Sequence, residues 1–287
     1  MQAKPHLSPL MLLYVLVIPL QGCLGVNPSV PAHTQRLPSL NIPRAACDPE
    51  LGGEIDHPSW EGNARIIGLS PAMPVRVAEC GETSPLNTPR LALDTQVLLV
   101  WRPNTLFIRF VCDDGDVFSP YGHERDALHY KGDVVEVFLD AVGDGRQWFE
   151  IQLSPAGGVL DLNTVLSAPP RSNECGLLTA ESNRNYWSDR SYDLSGLRTA
   201  TRLTEHGWIA DFALPAAAIL RRDAAGTFAP GRTMRLNLIR YDRSPTPKGN
   251  SDANVGMGCW SPVVFGRPHR SPTRMGEIVL VDKQLRD

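Results

Sequence analysis

No run of five or more lysines and arginines occurs in the 287 residues, and the net charge is only −3. That removes the basic footprint of a nucleic-acid binder and the polybasic patch of a membrane-surface protein. No apolar run reaches the roughly 20 residues that a helix needs to cross a bilayer. The six cysteines include no C-x-x-C pair, which speaks against a zinc site or a thioredoxin-like active site. No fixed-period repeat is visible. A coiled coil, a small disulfide knot and a multi-span membrane protein are therefore excluded. What remains is ample core material, with 42% hydrophobic and 21% charged residues, which argues against disorder. The 24 glycines and 25 prolines are about one residue in six, against roughly one in eight on average. Such a chain has many turns and few long helices.

The N-terminus reads as an address. Lys4 precedes the apolar run Met11 to Leu20, too short to span a membrane but suited to a signal peptide. Leu20-Gln21-Gly22-Cys23 resembles a bacterial lipobox, which implies cleavage after residue 22 and a lipid on Cys23. The alternative is an ordinary signal peptide cut nearby. Residues 23–44 are proline-rich and polar, as a tether is. The expected product is an exported lipoprotein of the outer membrane, cell surface or periplasm. It would keep Cys47, Cys80, Cys112, Cys175 and Cys259. An oxidising compartment predicts one or two disulfides among these five and leaves at least one thiol, with the connectivity open.

The body reads as strands. Leu106, Ile108, Phe110 and Cys112 alternate with Phe107, Arg109 and Val111. Val135, Val137 and Leu139 alternate with Val134, Glu136, Phe138 and Asp140. After Gly143-Asp144-Gly145, Phe149, Ile151 and Leu153 alternate with Trp148, Glu150 and Gln152. The glycine-rich turn predicts a hairpin in which Glu136 faces Gln152 and Phe138 faces Glu150. One side is aliphatic and the other polar and aromatic. That is the pattern of a sandwich leaf whose outer face does more than meet water. Gly207 to Pro215, Arg235 to Arg240 and Met275 to Val281 give further strands. A short helix is predicted over 216–222, and 163–194 reads as loop. The expected fold is an all-β antiparallel sandwich over residues 45–282, with Trp60, Trp101 and Trp208 as core rings.

Seven motifs in this order resemble family 9 carbohydrate-binding modules and the wider DOMON-like sandwiches. Gly53 to Trp60 resembles the opening I-D-G-x-x-D-x-x-W. Val100-Trp101 to Val111, with Asp113 to Val117, resembles the strand with an acidic tail. Tyr130-Lys131-Gly132-Asp133-Val134-Val135-Glu136-Val137-Phe138-Leu139-Asp140 resembles W-x-x-D-x-h-E-h-F-h-D. Trp208 to Pro215, Arg235 to Arg240, Trp260-Ser261-Pro262 and Met275 to Ile278 complete the series.

The resemblance implies glycan binding for polysaccharide capture or carbohydrate catabolism. Tyr130 would be the first stacking ring, smaller than the usual tryptophan, and Trp260 the second. Glu136, Gln152, Asn237 and Arg240 would reach the sugar hydroxyls. Glu136 could instead be a structural charge paired with Arg109. A hydrolase would need two facing carboxylates, for which Glu136, Glu150 and Asp140 are available. A haem module would need a methionine–histidine pair from His123, His129, Met257 and Met275. Asp113 and Asp116 are candidate calcium ligands, with an acidic turn as the alternative. No other cofactor is expected.

Overall fold

The structure is a computed structural model. It describes residues 36–71, 94–172, 178, 184–221, 223–243, 255–263 and 268–282. Cys23 and the lipobox lie outside the described residues, as do Cys80 and Cys175. Among the described residues, no helix is long and apolar enough to cross a membrane.

Two sheets face each other, as the alternation requires. The larger contains β1 (Ser39–Pro43), β14 (Gly276–Val281), β12 (Thr233–Arg243), β6 (Val134–Asp140), β7 (Gln147–Leu153), β8 (Val159–Leu166) and β9 (Tyr186–Asp189), in that order. β13 (Val255–Cys259) pairs with the second half of β12, and β3 (Ser70–Pro71) pairs with β13. The smaller sheet runs β10 (Arg198–Thr204), β11 (Gly207–Pro215), β5 (Thr105–Asp113), β4 (Thr95–Arg102), β2 (Ala64–Ile67). All these pairings are antiparallel except that of β1 with β14.

The predicted faces meet in one core. Leu106, Ile108, Phe110 and Cys112 of the smaller sheet pack against Val135, Val137, Leu139, Ile151, Leu236 and Leu238 of the larger. Trp60, Trp101 and Trp208 are buried rings, as expected. The hairpin has the predicted register, Glu136 opposite Gln152 and Phe138 opposite Glu150. Its turn is held by the Asp140 carboxylate, which accepts from the amides of Val142, Gly143 and Gly145 at 3.0, 2.7 and 2.7 Å. Gly143 and Gly145 take φ of 81° and 69°, where a side chain would be strained.

Two expectations are corrected. The tether does not run to residue 44, because Ser39–Pro43 is already a strand and Ile42 is fully buried. The segment 163–194 is not all loop, since β8 ends at Leu166 and β9 follows. Its polar residues misled because they are satisfied across strands. Thr164 and Ser188 share a 2.7 Å hydroxyl bond, and Gln147 donates to Asn163 at 2.9 Å. Cys47, Cys112 and Cys259 carry thiols, and the other two of the five cysteines, Cys80 and Cys175, lie outside the described residues. Burial pushes Cys112 up to about 12 and Cys259 up to about 11. The helix is one turn, α1 (Ala216–Ile219).

Candidate functional site on the outer face of the larger sheet

The pleat turns Glu136 and Phe138 of β6 outward, away from the core. Trp148, Glu150 and Gln152 of β7 and Asn237, Ile239 and Tyr241 of β12 turn the same way. This face does not simply meet water. Phe138, Trp148, Leu166, Ile239, Met257 and Met275 belong to a second apolar cluster on it, with Tyr186 and Tyr241 packed alongside. Inside this cover, Glu136 keeps 2%, Glu150 7% and Gln152 2% of their surface.

The buried polar groups are incompletely matched. Gln152 Nε2 donates to Glu150 Oε1 at 2.8 Å. Its own Oε1 is buried without a hydrogen-bond partner, and so is the indole Nε1 of Trp148. Among the described residues no hydrogen bond reaches the Glu136 carboxylate. An unmatched buried group costs about 1–3 kcal/mol, so the arrangement is poor as pure structure and apt for a ligand that brings the missing partners.

The electrostatics agree. Burial, and then the charge of Glu150, hold the Glu136 carboxyl well above the usual range. Burial pushes Glu150 up to about 7, against the Gln152 hydrogen bond and the charge of Arg190. Burial and then the two carboxylates push the Tyr241 hydroxyl far up. Two like groups share one dry face, so deprotonating both is costly.

The expected site residues do not all gather here. Glu136 and Gln152 do. Tyr130 sits on the 3-10 turn His129–Lys131 that leads into β6, and the residue is 38% exposed. Trp260 instead packs against the main core, over Gly276, where an added Cβ would lie 2.8 Å from the ring. Asn237 fastens a loop. Its Nδ2 donates to the Ser261 carbonyl and its Oδ1 accepts from the Ser261 amide, both at 2.8 Å. Arg240 shares parity with Leu236 and Leu238, so it points between the sheets. There it is fully buried and donates to Thr95 Oγ1, Asp114 and Asp242 at 3.1 Å each.

The pairing of Glu136 with Arg109 is also overturned, because the two lie in different sheets. Arg109 binds Asp211 through two bonds, at 2.7 and 2.8 Å. The acidic residues gather differently from expectation: Asp114 joins Asp133 and Asp242, not Asp113 or Asp116. Arg240 already bonds two of these three carboxylates, and Asp133 accepts from the Phe118 and Arg243 amides. A calcium ion fits that set poorly, because a cation already sits in it.

The methionine–histidine pair is not assembled either. His129 donates from Nε2 to the Glu124 carbonyl at 2.8 Å and sits edge-on to Tyr121. Met257 and Met275 are in the outer apolar cluster. For hydrolysis, Glu136 and Glu150 do share a face, but burial pushes both the same way. An acid and base pair needs its two values pushed apart, and Asp140 is taken up by the hairpin turn.

Glu150, Trp148 and Tyr241 belong to the site although the motif resemblance did not assign them to the sugar. Their parity with Gln152 and Asn237 was the available signal. Tyr186, on β9, had none.

No family model matches the chain, and no curated protein does. Solved structures do. A protein from Bacteroides uniformis assigned to carbohydrate binding superposes with a TM-score of 0.59 at 13% identity, over 85% of this chain and 100% of the other. A family 9 carbohydrate-binding module from Caldicellulosiruptor kristjanssonii, in complex with cellotriose, gives 0.52 at 15% identity, over 86% and 95%. The fold of this chain is thus that of family 9 carbohydrate-binding modules.

Proposed function

We propose that the domain binds carbohydrate on the outer face of the larger sheet, through Glu136, Glu150 and Gln152, with Tyr130 at the entrance to β6. The observation that carries this reading is the set of buried polar atoms lacking partners, Gln152 Oε1 and Trp148 Nε1, beside two carboxylates. The family 9 module that shares the fold is seen with cellotriose. So little of either carboxylate is exposed that it can receive a hydroxyl group but not a ring face. Sugar hydroxyls both donate and accept, which suits a face with acceptors at Glu136 and Gln152 and a donor at Trp148. In this reading the lipid on Cys23 holds the domain at a membrane, where it captures polysaccharide for catabolism. That part rests on the Leu20-Gln21-Gly22-Cys23 sequence.

Calorimetric titration with cellotriose and a panel of mono- and oligosaccharides tests the proposal. Glu136→Gln keeps the shape and replaces one carboxyl oxygen by an NH2 group, so the hydrogen bond made at that oxygen is lost. A buried hydrogen-bonding group left without its partner costs about 1–3 kcal/mol, so affinity should fall roughly tenfold. Equal binding by Glu136→Gln and wild type would place the site elsewhere. Failure of wild type to bind any glycan would leave the face structural. For the anchor, wild type should partition with membranes and Cys23→Ser should be soluble.

A further inference from the structure

The larger sheet has more strands than the smaller one, and the end of the inner face of β7 and β8 nearest the β6–β7 hairpin is open. There a cleft of about 650 Å³ opens between the β6–β7 hairpin and the turn after α1. Phe149 and Val165 form its floor on the side of the sheet opposite Glu136, and Val142, Ile219 and Leu220 add apolar walls. The volume is that of a small-molecule site holding one or two sugar rings.

Its charge is the informative part. Arg221 lies over two rings, 5.7 Å from Phe149 and 5.3 Å from Tyr192, which are themselves stacked at 5.9 Å. The side chain is exposed, and among the described residues no carboxylate pairs with it. The rings hold the guanidinium carbon in place by cation–π attraction, and a guanidinium whose N–H donors are exposed can receive a planar carboxylate in two bonds. Arg232 is the second cation of the lining. Its Nη1 binds Asp223 at 2.8 Å, but its Nε is buried without a hydrogen-bond partner. Among the described residues, Asp223 is the one acidic residue lining the cleft, and Arg232 already matches it. The described lining therefore has one positive charge in excess, an unmatched buried donor and apolar walls.

We propose that this cleft is a second binding site, for a sugar acid of the uronic acid class, its carboxylate on Arg221 and its C–H faces on Val165 and Leu220. A neutral sugar would leave Arg221 unmatched, and a small anion would leave the apolar walls wet. The proposal is independent of the glycan reading of the opposite face.

The test is calorimetric titration of the whole domain with sodium glucuronate, glucose and sodium acetate, with a thermal melt for every variant. Arg221→Gln removes the charge and keeps most of the ring cover. Val142→Asp puts a negative charge at a position that is 61% exposed, so it should fold even if Arg221→Gln does not. Glucuronate should bind wild type and Glu136→Gln alike, and at least tenfold more weakly to either cleft variant that melts as wild type does. Acetate should bind at least tenfold more weakly than glucuronate. Absence of glucuronate binding, or binding untouched by both cleft variants, overturns the proposal. Loss in Glu136→Gln instead would place the acid sugar on the other face and overturn the cleft while sparing the first reading. Acetate binding as well as glucuronate would overturn the sugar specificity.

Discussion

The two sheets both bury charge on their outward faces, and they do it in opposite ways. On the smaller sheet, Arg109 and Asp211 face each other across β5 and β11 with every charge matched. Arg109 also donates to the Glu54 and Glu50 carbonyls at 2.7 and 3.2 Å and lies 4.7 Å over the Trp60 ring. The Gly52 amide completes Asp211 at 2.6 Å. This cluster clamps the segment before β2 onto the sheet. On the larger sheet, two acids share the face, and neighbouring polar atoms lack partners. The same alternation of apolar and polar residues produces both. What separates a clamp from a site is whether the chain supplies the partners itself.

The largest effect should come from breaking the clamp. Arg109→Ala strands Asp211 in a buried position, which should cost about 3–5 kcal/mol. Urea unfolding measures it. A loss under 1 kcal/mol would erase the distinction drawn between the two faces.

Next comes the acid pair. Glu150 is raised by burial from 4.5 to about 7, so the folded state holds its proton more tightly than the unfolded state. Its stability contribution is full below about pH 4.5 and is lost as pH rises through 7. Glu150→Gln should remove that loss and leave the variant on the order of 2–3 kcal/mol more stable, relative to wild type, at pH 8 than at pH 4. Asp133, also raised by burial to about 7, should keep some of the slope in both. Parallel pH–stability curves would contradict the burial account.

Asn237→Ala separates fastening from binding. It leaves both backbone groups of Ser261 without their partner, at a cost of about 1–3 kcal/mol. Its effect on glycan affinity should be smaller than that of Glu136→Gln. The smallest effect is expected from chelation. Arg240 already balances Asp114 and Asp242, so a chelator should leave the melting temperature within about 1 °C. A large fall, restored by calcium, would show that a metal stabilises the fold by mass action.

Much of this was readable in the sequence. The hairpin register followed from strict alternation about Gly143-Asp144-Gly145, because a one-residue slip would turn Val135 and Val137 outward. The inward aim of Arg240 was also readable, since it has the parity of Leu236 and Leu238. The motif resemblance pulled it to the other face. The partner of Arg109 was not readable. Alternation gives the side of a strand but not which strand lies beside it, and Asp211 is 102 residues away. β9 escaped because its polar residues are satisfied only once β8 is in place. The unmatched atoms of Trp148 and Gln152 have no sequence signal at all, since being unmatched is a property of the assembled face.

Those atoms also give the most direct test. Trp148 Nε1 has no partner, whereas the indole of Trp60 donates to the Glu50 carbonyl at 3.2 Å and that of Trp101 to Val281 at 2.9 Å. The six tryptophans give resolvable indole N–H resonances in a nitrogen–proton spectrum of the labelled domain. On titration with a glycan that calorimetry shows to bind, the Trp148 resonance should move most and that of Trp60 should stay in place. Movement of Trp60 with a still Trp148 would place the ligand on the smaller sheet and contradict the account.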